Sequence, residues 1–192
     1  MNARALPFIV GLMACCSTDA VGIDTKDTLM IDFSQAEEIH NWTVTNDSVM
    51  GGLSSGEIHF GESTSVFSGE ISLENNGGFT SINRPIKALP VGLDTIELDV
   101  EGDGFIYQLR AAVLIDGYRM SYKHEFPTEK GERTTLSVSL HDFQASFRGR
   151  IINDAPTLTS EDIQSVGFLL ANKRQGPFTL VLHRLKISKR EE

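Results

Sequence analysis

From residue 29 onward the apolar side chains of this chain recur at every second position far more often than at helical spacing. That period commits the chain to strands, because successive side chains leave an extended backbone on opposite faces. The clearest case is Phe105-Ile-Tyr-Gln-Leu-Arg-Ala-Ala-Val-Leu-Ile115, where Phe105, Tyr107, Leu109, Ala111, Val113 and Ile115 line a core face. The opposite face begins with Gln108 and Arg110 and is read as wet. Asp116-Gly117 follows as a hairpin signal, since both central positions of a type I′ turn need positive φ, so this strand is expected to pair with Arg119 to Phe126.

Further strands are expected at Phe67–Leu73, Thr95–Val100, Thr134–Leu140, Ser165–Ala171 and Pro177–Ile187, separated by Gly, Asn, Asp and Pro. Short strands without alternating helices predict an all-β fold, a β-sandwich or jelly roll. Helical turns are expected only near Gln35 to His40 and Ser160 to Ile163, with Ser34 and Ser160 offering N-cap chemistry. No repeat or linker divides residues 21–192, which are read as a single domain after a 1–20 signal peptide.

The 192 residues are 40% hydrophobic and 22% charged, enough to bury a core without covalent staples. Both cysteines, Cys15 and Cys16, precede the body. A catalytic thiolate, a Cys-ligated zinc and an internal disulfide are therefore excluded from the folded part. The net charge of -9 disfavours nucleic acid, whose backbone is held by clustered Lys and Arg.

Met1 to Ala14 combines one base, no acid and a short apolar run, the pattern of a secretory signal peptide. The run is too short to span a bilayer as a helix. Leu12-Met13-Ala14-Cys15 resembles the bacterial lipoprotein signal, making Cys15 the expected lipid attachment point; ordinary cleavage after Thr18-Asp19-Ala20 is the alternative. The expected location is the cell envelope, with contact to a membrane only through that anchor.

Gly52-Leu-Ser54-Ser-Gly56 satisfies G-x-S-x-G in form, but the strand-like Glu57-Ile-His-Phe60 follows it where a nucleophile elbow needs a helix. The five histidines are dispersed, and Glu101-Gly-Asp103-Gly104 lacks the oxygen ladder of an EF-hand loop. No metal, no cofactor and no enzymatic activity are expected. Asn46-Asp47-Ser48 and Asn75-Asn76-Gly77-Gly78 have the residue types of a ligand loop and equally those of tight turns. The candidate ligand or partner contacts are Asp47, Asn75, Arg110 and Tyr122, while Trp42 and Phe79 are read as core or anchoring aromatics.

Trp42-Thr-Val-Thr-Asn46-Asp47-Ser48-Val49-Met50-Gly51-Gly52-Leu53-Ser54 resembles the signature of the complex I intermediate-associated protein 30 family. The resemblance continues through Phe67-Ser-Gly69, Leu73 to Ser81, Asp103 to Tyr107, Phe143 to Gly149, Gly167 to Leu170 and Gly176-Pro177-Phe178. It implies a galactose-binding-like β-sandwich and, from the family's mitochondrial members, a non-catalytic, chaperone-like role in assembling respiratory complex I. The export signal is a departure, because that role is exercised on the matrix side. Two functions are therefore expected: an assembly or scaffold module for a protein partner such as respiratory complex subunits, or an envelope module for carbohydrate or a small ligand.

Overall fold

A computed structural model describes residues 28–115, 117–147 and 149–190. The signal segment, Cys15 and Asp116 lie outside the described residues. Within them the chain forms thirteen strands: β1 (Leu29–Asp32), β2 (Thr43–Asn46), β3 (Ser55–Gly61), β4 (Thr64–Ile71), β5 (Thr80–Pro85), β6 (Thr95–Glu101), β7 (Ile106–Ile115), β8 (Tyr118–Pro127), β9 (Arg133–Ser139), β10 (Gln144–Phe147), β11 (Arg150–Ile151), β12 (Ile163–Leu170) and β13 (Gly176–Ser188).

They make two antiparallel sheets. One runs β3-β4-β13-β6-β9, with β1 beside the far end of β13; the other runs β11-β10-β8-β7-β12-β5-β2. This is the expected sandwich. Each sheet turns its apolar alternation inward. Tyr107, Leu109, Ala111 and Val113 of β7 meet Ile96, Leu98 and Val100 of β6 and Leu180 and Leu182 of β13 in one core. Trp42 and Phe79 divide as core and edge: Trp42 is buried, stacked 5.8 Å from Phe168, while Phe79 is half-buried.

β13 keeps a long strand on one core by changing phase. Phe178, Leu180 and Leu182 point inward, the register against β6 slips between Leu182 and Arg184, and Leu185 and Ile187 then continue the buried row. The extra residue at the bulge moves the inward positions from even to odd. β12 slips in the same way between Ile163 and Ser165.

Ile115 pairs with Tyr118 across a two-residue turn in which Gly117 has φ +79°. The expected helical turns are short 3-10 helices at Ala36–Asn41 and Ser160–Asp162, and three more occur at Asp47–Met50, Glu74–Asn76 and Leu140–Asp142. Their caps differ from expectation. Ser34 donates from both N and Oγ to Asp32 Oδ1, at 3.0 and 2.7 Å, so the aspartate closes the turn before it. Ser160 is buried and its hydroxyl donates to Pro90 O at 2.7 Å, tying the turn to a distant loop.

Candidate functional site

Two places combine chemistry-bearing residues: the crossings between sheets near β2, and the outer face of the seven-stranded sheet. At the first, the chain passes from β2 to β3 through residues 47–54 and returns from β4 to β5 through residues 72–79. Asp47 sits between these crossings and is fully buried. Its Oδ1 accepts from Ser54 N (2.9 Å), and its Oδ2 accepts from Ser54 Oγ (2.5 Å), Gly78 N (2.6 Å) and Phe79 N (3.3 Å). Burial pushes the carboxyl up, but the bonds from Ser54, Gly78 and Phe79 outweigh it and hold the group below its ordinary value.

Four donors fill the acceptor capacity of one carboxylate. Asp47 is therefore a buckle between two crossings, with nothing left to offer a ligand. Gly52 and Gly77 pack so close that a Cβ at either would overlap the Asp47 carboxylate. Asn75 lies in the same place, with a left-handed backbone (φ 55°), and its Nδ2 donates to Gly51 O at 3.2 Å across the crossings. Ser54, the apparent nucleophile, donates to Asp47 and to Ser72 O and accepts from Ser72 N, and β3 follows it directly.

Over the buckle the loops expose Val49 (72%), Met50 (69%), Leu53 (57%) and Leu73 (41%). These apolar side chains have a polar foundation and no cover within the described residues.

The second place follows from the alternation in β7. Because Leu109 and Ala111 face the core, Arg110 faces out, and the ladder sets it in a line across six strands: Thr43, Asn83, Gly167, Arg110, Lys123 and Gln144. All are polar or lack a side chain. Arg110 lies half-buried on the sheet, its Nε donating to Ser121 Oγ (3.0 Å) and its Nη1 to Gln108 Oε1 (2.8 Å). Burial pushes its pKa down, although a guanidinium remains protonated at neutral pH.

Tyr122 belongs to the other side of this sheet. It pairs with Ala111, is buried, and its hydroxyl donates to Pro156 O at 2.7 Å. Burial, helped by Asp162, raises the phenol's pKa. The four sequence candidates thus separate: Asp47 and Asn75 share the buckle, Arg110 lies on the open face, and Tyr122 looks into the core. Sequence reasoning missed Arg119, whose Nη2 donates to Ser165 Oγ at 3.3 Å across the intervening β7. Its period-two phase with Ser121 and Lys123 was the signal. No group of three metal-ligating side chains forms among the described residues.

A family model described as complex I intermediate-associated protein 30 matches residues 31–182. Among solved structures, the family 11 carbohydrate-binding module of a cellulosomal cellulase of Clostridium thermocellum is 18% identical, with a TM-score of 0.61 over 86% of this chain and 96% of that one. The same family's module from Clostridium thermocellum in complex with a β-1,3-1,4-mixed-linked tetrasaccharide gives 16% identity, a TM-score of 0.58, and coverage of 86% and 98%. An agarase aligns at 11% identity and a TM-score of 0.54 over 85% of this chain but 25% of its own. At these identities the likeness is one of fold.

Proposed function

We propose that this chain, which belongs to the complex I intermediate-associated protein 30 family, is a non-catalytic binding module that holds a carbohydrate on the outer face of its seven-stranded sheet. The observation that carries this reading is the polar line from Thr43 to Gln144, exposed at its two ends and half-buried at Asn83, Arg110 and Lys123. It offers hydroxyl, amide and cationic groups in fixed register, the donors and acceptors that a chain of sugar hydroxyls pairs with. The fold shared with carbohydrate-binding modules supports it by analogy. So does the export address expected from the sequence: a module anchored through Cys15 in the cell envelope meets polysaccharide there. Affinity electrophoresis through gels containing single polysaccharides tests it. Retardation by at least one is expected, and unaltered mobility in all of them would overturn the reading.

A second reading, assembly of a protein partner such as respiratory complex subunits, is favoured by the exposed Val49, Met50, Leu53 and Leu73. It uses the loops of the crossings instead of the sheet face. Replacing Val49 and Met50 by Ser should abolish recovery of a membrane partner in pull-downs and leave polysaccharide retardation intact. Undiminished recovery would remove this second reading.

A further inference from the structure

The carbohydrate face carries an unneutralised positive charge, unlike the chain as a whole. Arg110 stands directly opposite Lys123 in the ladder, an arrangement of like charges that a sheet does not favour without compensation. Only the lysine has a counter-ion: Lys123 Nζ lies 2.9 Å from Glu125 Oε1. Arg110 bonds to the neutral Ser121 and Gln108, and Gln108 in turn donates to Glu125 at 3.1 Å. Arg119, two strand positions before Ser121, reaches over β7 to neutral Ser165. Among the described residues neither arginine is in an ion pair.

The two guanidiniums are laid along the sheet by hydroxyl groups instead of carboxylates, and the Arg110 fork keeps its Nη2 unbonded among the described residues. A planar fork of donors fixed at one end matches a carboxylate or sulfate oxygen pair. None of the six residues on the central line is aromatic, so a neutral pyranose finds no ring there to stack on. On the opposite sheet the comparable cations do have acidic partners: Arg133 lies 2.7 Å from Asp99, and Lys186 lies 3.5 Å from Glu97.

We infer that the face takes an anionic polysaccharide, with Arg110 and Arg119 receiving its carboxylate or sulfate groups and Lys123 flanking them. This inference rests on the carbohydrate reading above and narrows its ligand class. A chain with net charge -9 repels a polyanion in general, so retention by one requires a local receptor.

The test is affinity electrophoresis of the full chain in gels of polygalacturonate, carrageenan, agarose and mixed-linked β-glucan. The first two distinguish carboxylate from sulfate, and the last two are neutral. Retardation is expected with a charged polymer alone, weakened at least tenfold in Arg110→Gln and in the exposed Arg119→Gln. It should fade between about 0.1 M and 1 M salt, where the screening length shrinks from about 10 Å to about 3 Å. Lys186→Gln, on the opposite sheet, should change nothing; an equal loss there would reveal bulk charge and overturn the inference. Binding to neutral polymers that survives Arg110→Gln would also overturn it while leaving the carbohydrate reading standing. Retardation by none of the four would remove both.

Discussion

Asp47 and Arg110 are both charged groups drawn into a β-sandwich, one between its crossings and one on its open face, and their surroundings differ in kind. The carboxylate is buried completely and takes four hydrogen bonds from its own chain, three of them from backbone N–H groups. The guanidinium is half-buried and touches only a hydroxyl and an amide oxygen, with a like charge, Lys123, across the ladder. A charge whose coordination is complete holds a fold together. A charge held in place without a counter-ion is available to something else.

Removing the buckle should give the largest effect. Asp47→Ala strands the N–H groups of Ser54, Gly78 and Phe79, and the expected loss is about 3–5 kcal/mol, since buried donors left unpaired cost about 1–3 kcal/mol each and their neighbours relax only in part. Urea unfolding measures it; a loss below about 1 kcal/mol would mean that the crossings hold without the carboxylate.

Crowding the same site comes next. Gly52→Ala forces a methyl into the Asp47 carboxylate and should cost about 1–3 kcal/mol by overpacking. Its neighbour sharpens the point: Gly51 has φ +88° and open space around its Cβ position, so Gly51→Ala pays backbone strain of about 1–2 kcal/mol. Comparing the two alanine variants, each with and without Asp47→Asn, separates them. The aspartate substitution should change the Gly52 penalty and leave that of Gly51 alone.

The pH dependence is a gentler probe. Because the folded-state pKa of Asp47 is depressed, its contribution is complete above the unfolded-chain carboxylate value, near about 4, and is lost as pH falls through the lower folded value. The stability gap between the native chain and Asp47→Asn should therefore be constant above about pH 5 and narrow below about pH 4 in urea melts. A gap that widens on acidification would contradict the hydrogen-bonding pattern.

Arg110→Met should have the smallest effect on stability, within about 0.5 kcal/mol or slightly stabilising, because an apolar side chain of similar length removes an uncompensated, partly desolvated charge. A marked loss in thermal or urea unfolding would make Arg110 a second structural tie and erase the contrast with Asp47.

The elements that could be read in advance are those whose two faces differ most. β7, β8 and β13 alternate cleanly over ten or more residues and were visible, although the phase slip at His183 shows only in the ladder. β2 (Thr-Val-Thr-Asn), β5 (Thr-Ser-Ile-Asn-Arg-Pro) and β10 (Gln-Ala-Ser-Phe) are short and mostly polar. Their strand character comes from the neighbour that supplies their hydrogen bonds, such as β12 for β5, so no local pattern announces them. The caps at Ser34 and Ser160 failed for a related reason: each hydroxyl found a better partner, two residues back in Asp32 or far away in Pro90.

The sequence by itself determined the sandwich, the family and the absence of thiol chemistry in the body, because period-two burial, a long ordered motif and the position of two cysteines are local facts. It also marked Asp47, Asn75, Arg110 and Tyr122 as unusual without separating their roles. Only the tertiary structure decided that Asp47 spends its whole acceptor capacity on residues 7 to 32 positions away, and that Tyr122 turns inward while Arg110, on the paired strand, turns out. The physical reason is that a side chain's availability depends on which donors and charges the other strands bring beside it, and that partnership is set by sheet register rather than by neighbours in sequence.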